Sequence, residues 1–258
     1  MSNHNFVDSS SNNYTVARFG TTSQGSFVPI PPSAGVEYDI SVHGGSCYFE
    51  GTTSSYLTVT HNGGINVGLG DFTFETWLYP TTNDFGTMFN SGGYSLYRTS
   101  SGTISWSASG YGIFTTSTPA PINTWTHYAV SRTSGTMKVF VNGVQQTSVS
   151  NTENYAFGTS LTVGKLNNNT WPFAGYLAGY RFVGGTGLYN SAFTPAVALT
   201  AVTNTKILLK FANASVFDSR CKMTPIVNGS VTTDINTYKY GNASISFDGV
   251  AGSYLLIL

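Results

Sequence analysis

Acids and histidines are scarce in this chain, so the side chains able to do bond-making chemistry are few. Asp71 and Glu75 share one segment, Asp71-Phe-Thr-Phe-Glu-Thr-Trp-Leu-Tyr79. Cleaving a glycosidic bond takes two carboxyls about 5–9.5 Å apart across it. This segment lacks a Glu-x-Asp-x-x-Glu pattern. Asp71, at the entrance of a strand, reads as a turn cap, and Glu75 as a hydrogen-bonding group within a sheet. His4, His43, His61 and His127 stand at no recognisable spacing from a nucleophile, and His127, beside Trp125, reads as structural. A Gly-x-Ser-x-Gly elbow, a P-loop and a dinucleotide fingerprint are all missing. The expectation is a protein that is not an enzyme.

Recognition chemistry is better represented. Sugar rings are held by aromatic platforms beside polar side chains. Trp106, Tyr111 on the loop after it, and Trp171 close to Asn168 fit that description, with Tyr94 and Tyr97 in a nearby strand. The competing reading of each is packing, because aromatics favour strands anyway. Trp77 and Trp125 are assigned to the core. Calcium is the expected metal if one binds, since hard cations take loop carboxylates and carbonyls. Asn83, Asp84 and Asn167 are its candidates, with plain polar turns as the alternative. Cys47 and Cys221 read as two reduced thiols. A disulfide would need a spatial adjacency that sequence does not show.

Composition narrows the class further. Only 9% of the 258 residues are charged and the net charge is zero, while 14% are aromatic and 29 are glycine. That is the reverse of a disorder signature, and it lacks the basic field of a nucleic-acid binder. No apolar run approaches the roughly 20 residues of a membrane span, and no signal peptide is visible in Met1–Val7. Membrane insertion is therefore not expected, and an extracellular location would be reached as part of an assembled particle.

Period-two alternation dominates. Phe72, Phe74, Thr76 and Leu78 alternate with Thr73, Glu75, Trp77 and Tyr79. Bulky residues lie on both faces, so this strand is central and covered on both sides, and Pro80 ends it. Trp125–Ser131, Met137–Val141, Val144–Val149, Leu161–Val163, Tyr176–Val183 and Lys206–Phe211 read as further strands. Asn142-Gly143 is a type I′ hairpin signal. One short turn of helix is expected near Leu188–Phe193. Many short strands with Gly, Asn and Pro punctuation argue for an all-β sandwich or jelly roll. The end of the chain repeats an early part. Cys47–Val59 aligns without a gap to Ile245–Ile257, pairing Phe49/Phe247, Gly51/Gly249, Ser55/Ser253, Tyr56/Tyr254 and Leu57/Leu255. Asp8-Ser9 and Asp218-Ser219 precede the two copies. The organisation expected is an extended N-terminal arm (1–44), a body (45–211) and a partial second repeat (212–258) that either closes the sheet or contacts a neighbouring subunit.

Taken in order, several blocks resemble the laminin-G-like, concanavalin A-like jelly-roll family. They are Phe49-Glu-Gly with Tyr56-Leu-Thr-Val59, Asp71–Pro80, Trp125-Thr-His-Tyr-Ala-Val-Ser-Arg132, Lys138-Val-Phe-Val-Asn-Gly143, Leu161-Thr-Val-Gly164 and Phe173–Phe182. The resemblance implies two antiparallel sheets packed face to face, one concave, with glycan or calcium on the concave face or at rim loops. Arg181-Phe-Val-Gly-Gly-Thr-Gly-Leu-Tyr-Asn-Ser-Ala-Phe-Thr-Pro195 is similar to the segment that closes this module in tailed-phage structural proteins, and Thr200–Ser219 to their bridge into a next copy. That narrower likeness implies a phage virion protein: a capsid decoration or a tail or fibre component. It would be made in the host cytoplasm, exposed on the particle and homo-oligomeric among other virion proteins. The alternative is an adhesin for a host surface glycan.

Overall fold

The computed structural model describes residues 5–30, 38–109, 111–212, 226–229, 231–234 and 244–256. Its strands are β1 (Thr15–Phe19), β2 (Ser23–Gly25), β3 (Ser46–Glu50), β4 (Tyr56–Thr60), β5 (Phe72–Pro80), β6 (Gly86–Ser91), β7 (Tyr94–Arg98), β8 (Ile104–Ala108), β9 (Tyr111–Thr115) and β10 (Thr126–Thr133). They continue with β11 (Thr136–Val141), β12 (Val144–Ser150), β13 (Ser160–Val163), β14 (Ala174–Gly184), β15 (Thr205–Leu209), β16 (Ile226–Asn228), β17 (Thr232–Asp234), β18 (Ser244–Ser246) and β19 (Tyr254–Leu256).

Two antiparallel sheets form a concanavalin A-like jelly-roll sandwich. One has seven strands in the order β1-β4-β13-β6-β7-β8-β9. The other has eight, β12-β11-β10-β5-β14-β3-β2, with β15 on β14. As the alternation requires, β5 is central, paired to β10 on one side and β14 on the other. Its even-numbered members Phe72, Phe74 and Leu78 enter the core between the sheets. Leu57, Val59, Phe89, Leu96, Ile104, Leu161 and Val163 come from the opposite sheet to meet them. The Asn142-Gly143 turn has φ of 49° and 76°, both positive as a type I′ hairpin demands.

The arm lies on the body, through β1 at the edge of one sheet and β2 at the edge of the other. Asp8 fastens it to the closing strand. Its carboxylate accepts from the Leu208 and Ser10 amides at 2.8 and 3.0 Å, and from the Ser10 hydroxyl and the Tyr14 amide at 2.8 and 3.0 Å. The one helix among the described residues is α1 (Ile40–His43), inside the arm. The turn expected near Leu188–Phe193 forms an irregular strap instead. The amides of Leu188, Tyr189 and Phe193 are drawn to the sheet beneath, donating to Thr73 Oγ1, Ser131 Oγ and Gly143 O. Cys47 is a buried free thiol, its ionisation pushed up well above the ordinary thiol range by burial. Cys221 and His4 lie outside the described residues.

The two copies of the repeat differ in setting. In the first, β3 and β4 are built into the two sheets, with Phe49 and Leu57 fully buried. In the second, β18 pairs with β17 and β19 with β16, and Phe247 and Tyr254 are each 50% exposed.

Candidate functional site

The outer faces of the two sheets are treated very differently. On the eight-stranded sheet the outward row runs Arg181, Glu75, Ala129, Phe140 across four strands. Glu75 is fully buried. One of its oxygens accepts from Arg181 Nε at 2.9 Å and from Nη2; the other accepts from Tyr189 Oη at 2.9 Å and lies 3.2 Å from His127 Nε2. Burial alone raises a carboxyl, but here the bond from His127 and the Arg181 charge outweigh it and hold Glu75 below its ordinary value. A strap from Gly185 to Thr200 closes over this row. Leu188 N and Tyr189 N donate to Thr73 Oγ1 and Ser131 Oγ, Phe193 N donates to Gly143 O, and Trp77 Nε1 donates to Ala196 O. Tyr189 and Phe193 stack at 3.7 Å above it. The arm covers the rest of this face, with Phe27 packed on Tyr79, Trp125 and Tyr176. Trp125, expected in the core, is half-buried here on the outer side. One cavity of about 230 Å³ remains between arm and strap, lined by Ile40, Gly44, Gly179, Val197 and Leu199.

The seven-stranded sheet is open. Its outward residues include a row matched in register from Thr58 through Thr162, Asn90 and Ser95 to Ser107. Beside the row rises the loop between β13 and β14. This loop is fixed by Gly164 N to Thr87 O (3.1 Å), Thr87 N to Trp171 O (3.0 Å) and Phe173 N to Gly164 O (2.8 Å). Asn90 is its anchor on the sheet. Its Oδ1 accepts from the Asn167 amide at 2.9 Å, and its Nδ2 donates to Ser95 Oγ at 2.8 Å. Trp171 has φ of 51°, a left-handed conformation that costs a non-glycine residue about 1–2 kcal/mol. That backbone turns the indole against Phe85 and Tyr97, with centroids 4.8 and 4.7 Å away, and leaves 36% of the residue exposed.

Between loop and sheet lies a groove of about 370 Å³ lined by Asn90, Ser95, Tyr97, Ser107, Asn167, Asn168 and Trp171, and also by Gly93, Ser109 and Leu166. Its size falls in the range of small-ligand sites, about 300–1,000 Å³. Three of the residues singled out from sequence, Asn167, Asn168 and Trp171, meet here. Tyr97, Asn90, Ser95 and Ser107 complete the site.

Other candidates are placed elsewhere by the structure. Trp106 offers no platform: it is 0% exposed and packs in the core against Phe72, Phe89, Tyr155 and Phe157. Tyr94 likewise turns inward against Tyr155. Tyr111 opens strand β9 at the sheet edge rather than sitting on a loop, and its side chain lies outside the described residues. The calcium candidates form no cage. Asn83 Oδ1 is taken by Arg98 Nη2 at 3.3 Å, and Asn167 Oδ1 by Thr162 Oγ1 at 2.9 Å. Asp84 lines a separate groove with Glu50 on the other side of Trp171. Asn83, Asp84 and Asn167 are therefore not gathered at one point, and among the described residues no three His, Cys, Asp or Glu side chains are grouped to hold a metal.

Residues 50–195, more than half of the chain, match the concanavalin A-like lectin/glucanases superfamily. The chain belongs to that family. Among solved structures it is similar to the botulinum neurotoxin serotype G binding domain, with a TM-score of 0.52 and 13% identity over 71% of this chain and 46% of that one. A second structure, of the botulinum neurotoxin type G receptor binding domain, has a TM-score of 0.50 and 12% identity over 71% of this chain and 45% of that one. The chain thus spans less than half the length of either. Domain 4 of AbnA, an extracellular arabinanase from Geobacillus stearothermophilus in complex with arabinotriose, aligns at 22% identity and a TM-score of 0.46 over 66% of this chain and 84% of that one. No curated protein matches the chain. Among the described residues no helix is long and apolar enough to cross a membrane.

Proposed function

We propose that this protein is a non-enzymatic glycan-binding module that holds its ligand in the groove on the open sheet, as an adhesin for a surface polysaccharide would. The observation that carries the reading is the meeting of a half-exposed aromatic platform, Trp171 on Tyr97, with a row of amides and hydroxyls on one rigid sheet. Sugars present a C–H face and a ring of hydroxyls, and the groove offers a partner to each. Membership of a superfamily of lectins and glucanases supports the ligand class. No carboxylate lines the groove, and Glu75 is locked away with Arg181, which favours binding over hydrolysis. The test is calorimetric titration of the full chain with a panel of oligosaccharides, repeated on Trp171→Ala. Loss of binding at an unchanged melting temperature is expected. Equal binding by the variant would remove the groove from consideration.

A second reading is structural: a phage virion component whose C-terminal repeat contacts a neighbouring subunit. It is supported by the closing segment Arg181–Pro195 and by the exposed apolar side chains of Ile245, Phe247, Tyr254 and Leu256, which are 42–50% exposed. Light scattering with and without residues 212–258 tests it. A fall from oligomer to monomer supports the role, and a monomer in both forms counts against it. The two roles are compatible in one particle protein.

A further inference from the structure

We infer that the groove selects uncharged glycans and discriminates against sulfated and uronate-bearing ones; this rests on the glycan-binding reading above. The first observation is the lining itself. Ser95, Tyr97, Ser107, Asn168 and Trp171 supply hydroxyls, an amide and an indole N–H, and no side chain that carries a full charge. Ser107 Oγ and Ser109 Oγ have no hydrogen-bond partner among the described residues, and Ser95 Oγ, which accepts from Asn90, keeps its own proton to donate. Groups of this kind both donate and accept, as sugar hydroxyls do. A sulfate or carboxylate only accepts, and it is held best by charged donors or bidentate guanidinium.

The second observation is where the nearby cations are. Lys165 is 7% exposed, with its ammonium 3.5 Å from the centroid of Tyr56 and 2.6 Å from Asn169 Oδ1. Arg98 is 2% exposed and is spent on Ala120 O, Thr82 O and Asn83 Oδ1 at 2.9, 3.2 and 3.3 Å. Neither points its charge into the groove. The charged side chains that line the adjoining groove of about 330 Å³, which shares Trp171 as its wall, are both negative: Glu50 and Asp84. An anionic glycan laid along Trp171 would therefore meet like charge with no compensating cation, whereas a neutral one meets only hydroxyls, amides and aromatic rings.

The experiment titrates the full chain with galactan, mannan and glucan oligosaccharides, each beside its sulfated or uronate counterpart, at low and high salt. Neutral members are expected to bind with affinity indifferent to salt, and their anionic counterparts to bind at least about tenfold more weakly, the factor that about 1.4 kcal/mol of unfavourable charge contact produces. Ser109→Lys, which places a cation in the groove lining, should narrow that gap at low salt and lose the gain at high salt. Anionic members binding more tightly than neutral ones, with salt sensitivity and loss in Trp171→Ala, would overturn the inference and leave the groove reading intact. No binding by any member, or binding unchanged in both Trp171→Ala and Asn168→Ala, would sink the groove reading and this inference with it. Asn168→Ala alters only an exposed loop position, so the test holds even where Trp171→Ala fails to fold.

Discussion

The two outer faces of the sandwich begin from the same strand alternation and end with opposite properties. On the eight-stranded sheet the outward positions carry Glu75, Arg181, His127, Trp77 and Phe140, and chain from the strap and the arm buries them. On the seven-stranded sheet the outward positions carry serine, threonine, asparagine and tyrosine, and among the described residues the short loop bearing Trp171 leans over them. A buried carboxylate survives because each lone pair has a donor and a guanidinium stands beside it. The polar row, 6–8% exposed at Asn90, Ser95, Ser107 and Thr162, is partly satisfied within itself, by Asn90 to Ser95 and Thr162 to Asn167. One face has become a second core, and the other carries the groove proposed to bind glycan. On the proposed reading, the binding face is the one that the strap and arm leave uncovered.

The largest effect expected on the sealed face is from Glu75→Ala. It strands a buried Arg181 and should cost about 3–5 kcal/mol in chemical denaturation, with the groove's affinity unchanged in whatever fraction remains folded. Replacing both partners, Glu75→Leu with Arg181→Met, should recover much of that loss. On the open face Trp171→Ala should weaken a neutral oligosaccharide by about 30-fold or more, the cost of about 2 kcal/mol typical of a central tryptophan contact, while the unfolding midpoint stays put. If Glu75→Ala abolishes binding in folded protein and Trp171→Ala does not, the assignment of the two faces is reversed.

Acid should reveal a third contrast. His61, buried at the end of β4, is pushed down to about 4 by burial. Its Nδ1 accepts from the Gly63 amide at 3.2 Å, which needs the neutral ring. The depressed value means its contribution is complete above its ordinary 6.5 and lost as pH falls toward about 4. Glu75, also depressed, adds a loss at lower pH still. Melting curves across this range should decline for the parent and flatten between 6.5 and 4 for His61→Gln; an identical decline in the variant would assign the loss elsewhere. The smallest effect is expected for Ser107→Ala, which removes one hydroxyl from the groove floor. Affinity should drop by about 1 kcal/mol, one ordinary hydrogen bond, and stability should hold within about 0.5 kcal/mol.

The fate of the tryptophans shows how much of the site was legible. In Thr103-Ile-Ser-Trp-Ser-Ala108, Trp106 alternates with the serines and shares its face with Ile104, so period two places it inward and Ser105 and Ser107 outward. Weighing the indole by its type rather than by its neighbours' phase made it a platform candidate. Trp171 follows three asparagines and precedes a proline, a loop signal, and it is the aromatic that the structure brings to the groove. Tyr97 and the serine row carry no distinctive motif. They become a site only because β7 and β8 pair in a register that sets Ser95 against Ser107.

The sequence by itself determined the class and the core. Alternation along β5, β10 and β11 decides which side chains leave water, and burying apolar surface is the dominant favourable term in folding. It also determined the Asn142-Gly143 hairpin, since that turn needs two residues tolerant of positive φ. Only the tertiary structure decided which outer face the strap covers, that Trp171 and Asn168 meet Tyr97 rather than Trp106, and that Phe247 stays exposed where its twin Phe49 is buried. These depend on pairing between segments far apart in the chain, and a local pattern carries the phase of a strand but not the identity of its neighbours.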